Sequence, residues 1–498
     1  MEIIFFLSAF LLLIYFFFKT GKHSISLKLP PGPRTLPIIG NLHQLSGPLL
    51  HHILADLANI YGPLMHLKLG EVSTMVVSSA EVAKEIMSDH DIIFAYRPYT
   101  LASEILYYNR SDIAFSPYGD YWRQIRKICT MELLTAKRVQ GFRSIREDEV
   151  LNMIRSITYE GSGVNLSKMI FSLTYGITAQ AAFGKKTKYQ DEFLMVMEDV
   201  VKIIGRISIA DMYPSFKIVE VISGLRHKLE KIHSKIDRIM GTILDEHKEE
   251  RRNSRSRERE AKDLVDVLLD VQMNEVFGLP LTDDKIKAVI FDIFSAGGET
   301  SATTSIWIMS EMIKNPIVLK RAQEEVRQVF SDRGNVDQSC LHKLKYLQAV
   351  IKETMRLHPA VPLLLPRECS AQCKVHGYDI PKKASVIINA MAIGRDPRHW
   401  IEPHKFKPER FLDSEIDFKG TYFWYIPFGA GRRICPGISF ALPNVELPIA
   451  QLLYHFDWKL PNDAKPEELD MNEKFGLTVG RENDLELIAI PYCHSFLQ

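Results

Sequence analysis

Phe428-Gly429-Ala430-Gly431-Arg432-Arg433-Ile434-Cys435-Pro436-Gly437 sets one cysteine in a tight loop among glycines, with an aromatic upstream and two arginines just before it. Glycines admit turns that other residues resist and let a flat ligand approach the main chain closely. Amides turned toward the sulfur would stabilise a thiolate, and coordination to a metal would lower its pKa further. Arg432 and Arg433 offer guanidinium groups to anions at the rim of such a ligand. These parts suit a haem whose iron is held by sulfur. The plainer reading is a surface turn around a buried, inert cysteine.

A second segment carries a cost that needs a reason. Thr282 is a good N-cap, Asp283 and Asp284 follow in the first turn, and helical periodicity runs on to Asn315-Pro316. The pattern predicts a helix of about 33 residues, roughly 50 Å long. At its midpoint lies Ala296-Gly297-Gly298-Glu299-Thr300-Ser301. Two interior glycines cost roughly 2 kcal/mol relative to alanine, and Glu299 interrupts an apolar surround. Either something flat lies against this helix backbone, or another helix packs closely on it.

The cysteine segment resembles the haem-binding signature of the cytochrome P-450 monooxygenases, Phe-x-x-Gly-x-Arg-x-Cys-x-Gly, matched at Phe428, Gly431, Arg433, Cys435 and Gly437. The helix midpoint resembles the family's oxygen-activation motif, Ala/Gly-Gly-x-Asp/Glu-Thr, at Ala296, Gly297, Glu299 and Thr300. The resemblance implies haem b as cofactor, with Cys435 as the axial iron ligand, Phe428 shielding the sulfur and Arg433 on a haem propionate. It implies catalytic roles for Thr300, bonded to the oxygen being activated, and for Glu299, relaying protons from solvent.

Supporting motifs follow in order. Glu353-Thr354-Met355-Arg356 and Phe406-Lys407-Pro408-Glu409-Arg410-Phe411 are similar to the family's Glu-x-x-Arg and Pro-Glu-Arg-Phe elements, which implies a buried structural network of Glu353, Arg356 and Arg410. Trp122-Arg123-Gln124-Ile125-Arg126 is similar to its Trp-x-x-x-Arg helix, which implies that Trp122 and Arg126 reach a propionate. Arg367 falls where a further propionate ligand is expected; otherwise it is a solvated arginine before Glu368. Pro443 departs from the pattern, because it lies inside the helix expected after the cysteine loop, where proline removes a backbone hydrogen bond and favours a kink. Pro448, one turn on, is similar to a proline of the family's plant members.

Composition sets outer bounds. The chain has 498 residues, 46% of them hydrophobic, enough for a large core. A net charge of +1 argues against a nucleic-acid or polyanionic partner. Its six cysteines show no Cys-x-x-Cys spacing, and Cys369 and Cys373 lack histidines arranged as zinc ligands, so reduced thiols are expected. Residues 64–78 alternate around Gly70-Glu71 as a hairpin, and Cys373 to Ala392 is strand-like, broken by Gly377 and Pro381. Most of the remainder is helical in period. The expected fold is mainly α with a small β-rich lobe (α+β), the cytochrome P-450 fold, preceded by one N-terminal transmembrane helix. Lys248 to Lys262, with seven basic and four acidic residues, reads as a solvated loop between long helices rather than a nucleic-acid patch.

Ile3 to Phe18 is apolar except for Ser8; Glu2 precedes it, and Lys19, Lys22 and Lys28 follow. These flanks fit an uncleaved anchor better than a signal peptide and keep the following domain cytosolic. The sequons at Asn109 and Asn165 should then stay unglycosylated. The expected organisation is an anchor over 1–20, a basic and proline-rich linker over 21–37 including Leu29-Pro30-Pro31-Gly32-Pro33, and a haem-thiolate monooxygenase domain over 38–498.

Leu29–Gly40, Tyr108–Cys129 and Gln451–Leu460 look closest to plant endoplasmic-reticulum members of the family, and among those to terpenoid oxidases. Residues aligned with the family's substrate-contact regions are largely apolar: Ile113, Ala114 and Phe115; Ile290, Ile293, Phe294 and Ala296; Val361, Leu363 and Leu364; and Leu477. Such a pocket suits a lipophilic plant terpenoid, a sesquiterpene or diterpene, oxidised with O2. The resemblance also implies electrons from NADPH-cytochrome P-450 reductase docking near Cys435, with cytochrome b5 as a second donor. Two rivals stay open. One is a reductase-independent haem-thiolate isomerase or dehydratase; the other is a membrane-tethered haem protein that binds a lipid without chemistry.

Overall fold

The hydrophobic alternation of residues 64–78 becomes a hairpin. Strands Leu64–Leu69 (β1) and Val72–Val77 (β2) pair antiparallel with Leu69 opposite Val72. Gly70 turns between them at φ +60°, and a Cβ there would meet the Met212 carbonyl oxygen at 2.6 Å. This computed structural model describes residues 27–160, 163–185, 190–205, 208–253, 263–274 and 280–492. The expected membrane span therefore lies outside the described residues. Among the described residues no helix is long and apolar enough to cross a membrane.

The principal helices are Leu50–Tyr61 (α1), Asp120–Ile128 (α2), Arg143–Glu160 (α3), Leu166–Phe183 (α4), Gln190–Ile204 (α5) and Leu225–Asn253 (α6). After them come Asp283–Lys314 (α7), Pro316–Val329 (α8), Lys345–Leu357 (α9) and Ile438–His455 (α10). A short strand, Val164–Asn165 (β3), precedes α4, and the C-terminal half adds Arg367–Glu368 (β4), Cys373–Val375 (β5), Tyr378–Ile380 (β6) and Ser385–Ile388 (β7). Phe456–Lys459 (β8), Glu473–Lys474 (β9), Gly480–Arg481 (β10) and Glu486–Pro491 (β11) close the chain. The largest sheet runs β1-β2-β7-β4, with β2 and β7 parallel. The fold is thus mainly helical with small sheets.

Two boundaries differ from the sequence expectation. The region Cys373–Ala392 is strand only to Ile388, because the Asn389 side chain accepts the Ala392 N–H at 3.0 Å and caps a helix over Ala390–Gly394. The charged segment after Lys248 is also not all loop: α6 continues to Asn253, where Arg251 pairs with Asp266 at 3.1 Å.

The long helix begins as expected. Thr282 Oγ1 accepts the Lys285 N–H at 3.4 Å, and α7 runs unbroken to Lys314. Packing explains Gly298: a Cβ there would fall 2.5 Å from the Tyr175 ring of α4. Close helix packing, and not a flat ligand, takes up that glycine. Phe294, expected in a substrate wall, packs instead with Phe193 and Phe183 at centroid distances of 4.4 and 5.6 Å. Helix α10 continues unbroken through both Pro443 and Pro448.

Candidate active site

The cysteine loop is held by its own backbone. Gly429 and Gly431 take φ of +72° and +67°, and a Cβ on Gly431 would lie 2.1 Å from the Met87 carbonyl oxygen. That close approach is to protein. The Cys435 N–H donates to the Phe428 carbonyl at 3.0 Å, and the Gly437 N–H donates to Cys435 Sγ at 3.3 Å. Phe428 itself packs edge-on to Phe418 at 5.5 Å. Burial pushes the Cys435 thiol up, which the Gly437 amide and Arg126 only partly offset. A bare thiolate is disfavoured here, and a bound metal cation would reverse that balance.

Cys435 opens onto one large cavity of about 310 Å³. Thr300, Glu299, Ala296 and Gly297 of α7 line the same space. Thr300 Oγ1 donates to the Ala296 carbonyl at 2.7 Å, which commits its proton within the helix and leaves its lone pairs available. The Glu299 carboxylate accepts from Thr478 Oγ1 at 2.9 Å and from the Tyr175 hydroxyl at 3.2 Å. Burial raises its pKa despite those two donors.

Four guanidinium groups border this cavity: Arg97, Arg126, Arg367 and Arg433. Arg433 donates to the carbonyls of Ala95, Ile113 and Ser116, and its cation lies 4.1 Å above the Trp122 ring. Arg367 bonds the Ala430 carbonyl at 2.9 Å and Asp91 at 3.3 Å, so it is not a solvated arginine. Arg126 reaches the Ile434 carbonyl. Burial, then repulsion from Arg367, pushes Arg433 down to about 9. Arg97 is lowered by burial, then by Arg433 and Arg367. Crowded buried cations call for anions, and two carboxylates on one ligand would supply them. Arg432 is elsewhere: its backbone and side chain meet Asp91 and Tyr118 near the surface. Trp122 gives its indole N–H to the Ile113 carbonyl at 3.0 Å and does not border the cavity.

A family model described as cytochrome P-450 matches residues 30–484. The chain belongs to the cytochrome P-450 family. Tabersonine 16-hydroxylase 2 of Catharanthus roseus is 57% identical to it over 98% of each chain. Tabersonine 6,7-epoxidase isoform 1 of the same plant is 55% identical, covering 96% of this chain and 94% of its own. Desmethyl-deoxy-podophyllotoxin synthase of Sinopodophyllum hexandrum is 54% identical, over 96% and 95%. A zebra fish cytochrome P-450 structure solved with abiraterone superposes with TM-score 0.75 at 25% identity, covering 90% of this chain and all of its own. The protein is a plant-type haem-thiolate monooxygenase that uses haem b, O2 and a lipophilic substrate. Its residues fit that cofactor: a cysteine sulfur and four clustered guanidinium groups border one cavity, a donor set suited to iron and two carboxylates.

Of the residues expected at the substrate, Ile113, Ala114, Phe115, Ile293, Ala296, Val361, Leu364 and Leu477 border the cavity; Ile290, Phe294 and Leu363 do not. The wall formed by Met197, Val200, Val201 and Ile204 of α5 was not legible, since an amphipathic helix carries no sign of whether it faces core or cavity. Arg97, in Tyr96-Arg97-Pro98, belongs to no motif and was also missed. So was Asp292 of α7, whose Oδ2 accepts the N–H groups of Ile113 and Ala114, both at 3.0 Å. Away from the cavity, Glu353 receives Arg356 through bonds of 2.7 and 2.8 Å and Arg410 at 3.2 Å, with Glu353 and Arg356 0% and 1% exposed.

Proposed function

We propose that this enzyme hydroxylates or epoxidises a polycyclic, mostly hydrocarbon plant metabolite at the face of a haem held by Cys435. One observation carries the reading: Cys435, Thr300 and four guanidinium groups, three of them buried and that of Arg126 half-buried, converge on a single, largely apolar cavity. Haem bound there supplies oxygen activation. Cys435 would hold its iron through the sulfur, which the Gly437 N–H steadies. Arg97, Arg126, Arg367 and Arg433 would hold its propionates. Thr300, its own proton given to Ala296, accepts and positions protons at the reacting side. Glu299, with raised proton affinity and pinned between Tyr175 and Thr478, is the neighbouring proton store. Ile113, Phe115, Ile293, Val361, Leu364 and Leu477 exclude water and orient the substrate.

The named relatives act on an alkaloid and a lignan precursor, which supports rigid, ring-rich substrates in general. A terpenoid skeleton, sesquiterpene or diterpene, belongs to this class and is the member we propose. Glu299 and Thr300 side by side favour oxygenation over a reductase-independent rearrangement. Arg123 and Arg432, both exposed and both beside Tyr118, form with Lys127 a basic patch near the cysteine loop that suits an acidic reductase surface. Membrane attachment with a cytosolic catalytic domain at the endoplasmic reticulum is supported by exposed Ile38, Ile209, Ile218, Val221 and Ile222, whose two segments meet where Tyr213 bonds the Ile38 carbonyl at 3.3 Å. The test is incubation with reductase, NADPH and a panel of terpenoid, indole-alkaloid and lignan substrates, with products read by mass spectrometry. Terpenoid products gaining one oxygen are expected; turnover confined to the alkaloid arm would overturn the terpenoid assignment, and turnover without NADPH the monooxygenase mechanism.

A further inference from the structure

Away from the cavity, three imidazoles gather around one carboxylate. His51 and His52 lie in the first turn of α1, and Glu473 opens β9. His51 Nε2 and His52 Nε2 stand 2.7 and 2.9 Å from the same oxygen, Glu473 Oε2, and the three atoms lie within 4.8 Å of one another. His358, which follows α9, faces the other carboxylate oxygen through Nδ1 at 3.9 Å, beyond hydrogen-bond reach. That Nδ1 is buried without a hydrogen-bond partner among the described residues. Its Nε2 is 2.7 Å from Glu311 Oε1, and the ring stacks on Trp307 at 4.1 Å.

We infer that His51, His52 and Glu473 form a binding site for a divalent transition-metal cation, best matched by zinc, with His358 Nδ1 facing the second Glu473 oxygen at its edge. This goes beyond the proposed oxygenation, which does not use these residues. Imidazole nitrogen and carboxylate oxygen are ligands that zinc takes in tetrahedral sites. Bonds of about 2.0–2.1 Å set tetrahedral ligand atoms about 3.3 Å apart, so each of these two imidazole nitrogens need draw back from Glu473 Oε2 by only a few tenths of an ångström. Glu311, accepting from His358 Nε2–H, fixes the tautomer that leaves a lone pair on Nδ1. That lone pair then faces a carboxylate oxygen with no proton between them, and a cation would relieve the repulsion. The His52 side chain is 40% exposed, which gives the cation a route in. Beyond Glu473 the chain continues to Leu477 at the cavity and Thr478 on Glu299, so an occupied site would fasten α1 to the root of that wall.

The experiment uses the full-length, haem-loaded protein without a polyhistidine tag, stripped with chelator and dialysed against buffered zinc. Bound metal is read by elemental analysis and a thermal transition is read in parallel. One zinc per chain and an upward shift of the transition are expected. His52→Ala and Glu473→Gln should weaken zinc binding at least about a hundredfold, more than loss of an outer-shell partner does. A His342→Ala variant, altered at an exposed histidine elsewhere, should bind as the parent does. Haem content of each variant shows whether it is folded. Failure of the parent to retain zinc, or equal retention by folded His52→Ala and Glu473→Gln variants, would overturn the assignment without touching the oxygenase reading.

Discussion

Asp292 of the long helix holds the Ile113 and Ala114 amides through one carboxylate oxygen, tying the oxygen-side helix to the loop that presents Ile113 and Phe115 to the substrate. Asp292→Ala would leave two buried donors unpaired, at a cost of about 1–3 kcal/mol each. We expect haem content to survive while kcat/KM falls by more than tenfold and the product distribution broadens. Steady-state kinetics with product analysis checks this; unchanged regiochemistry would show that the loop is held by other contacts.

Thr300 and Glu299 should separate in their pH behaviour. Thr300→Ala should keep haem and substrate affinity but lower product formed per O2 consumed, on the order of 10²-fold in rate, the usual scale for losing a positioned proton-transfer group. Glu299 has a raised pKa, so it keeps its proton at a higher pH than an ordinary glutamate and loses it as pH rises through that value. Coupled turnover should decline on the alkaline side in the parent, and Glu299→Gln should be slower with that limb flattened. A pH profile of coupling measures both.

Glu353→Gln should be the most damaging change outside the cavity. It weakens the buried anchor of Arg356 and Arg410 and of the Lys407 N–H, bonded at 2.8 Å. Breaking a buried charge pair costs about 3–5 kcal/mol, so loss of soluble haem-loaded protein is expected. Haem content per chain and chemical denaturation report it.

Glu446 in α10 gives a stability prediction with a definite sign. Burial alone pushes it up to about 7, and no hydrogen bond or ion pair to it is present among the described residues. A carboxyl whose folded pKa is raised favours folding fully below its unfolded value and loses that contribution as pH climbs toward the folded value. Stability should therefore fall between about pH 4.5 and 7, by up to about 3 kcal/mol, and Glu446→Gln should flatten that slope. Denaturation curves across this range decide it.

The sequence made much of this molecule legible because backbone demands show locally. Gly70-Glu71 between alternating strands, Thr282 before a long periodic run, and the glycines around Cys435 all state a conformation in one-dimensional form. The arginine cavity was half legible: Arg433, Arg126 and Arg367 sit in spaced patterns, whereas Arg97 joins them only through folding. Gly298 misled for a physical reason, since a missing side chain looks the same whether ligand or Tyr175 takes the space. Ile290, Phe294 and Leu363 misled likewise, because an apolar side chain does not declare which face of its helix or loop meets the cavity. The carboxylates Asp292 and Glu473 act through amides and imidazoles far away in sequence, and nothing near them announces it.

The central claim is that Cys435 carries the iron, and the spectrum of the reduced, carbon-monoxide-treated protein tests it most directly. The parent should show the red-shifted Soret band of thiolate-ligated haem, and Cys435→Ala should lose both that band and all NADPH-dependent turnover. A Cys435→Ala protein that kept the thiolate-type band would contradict the account.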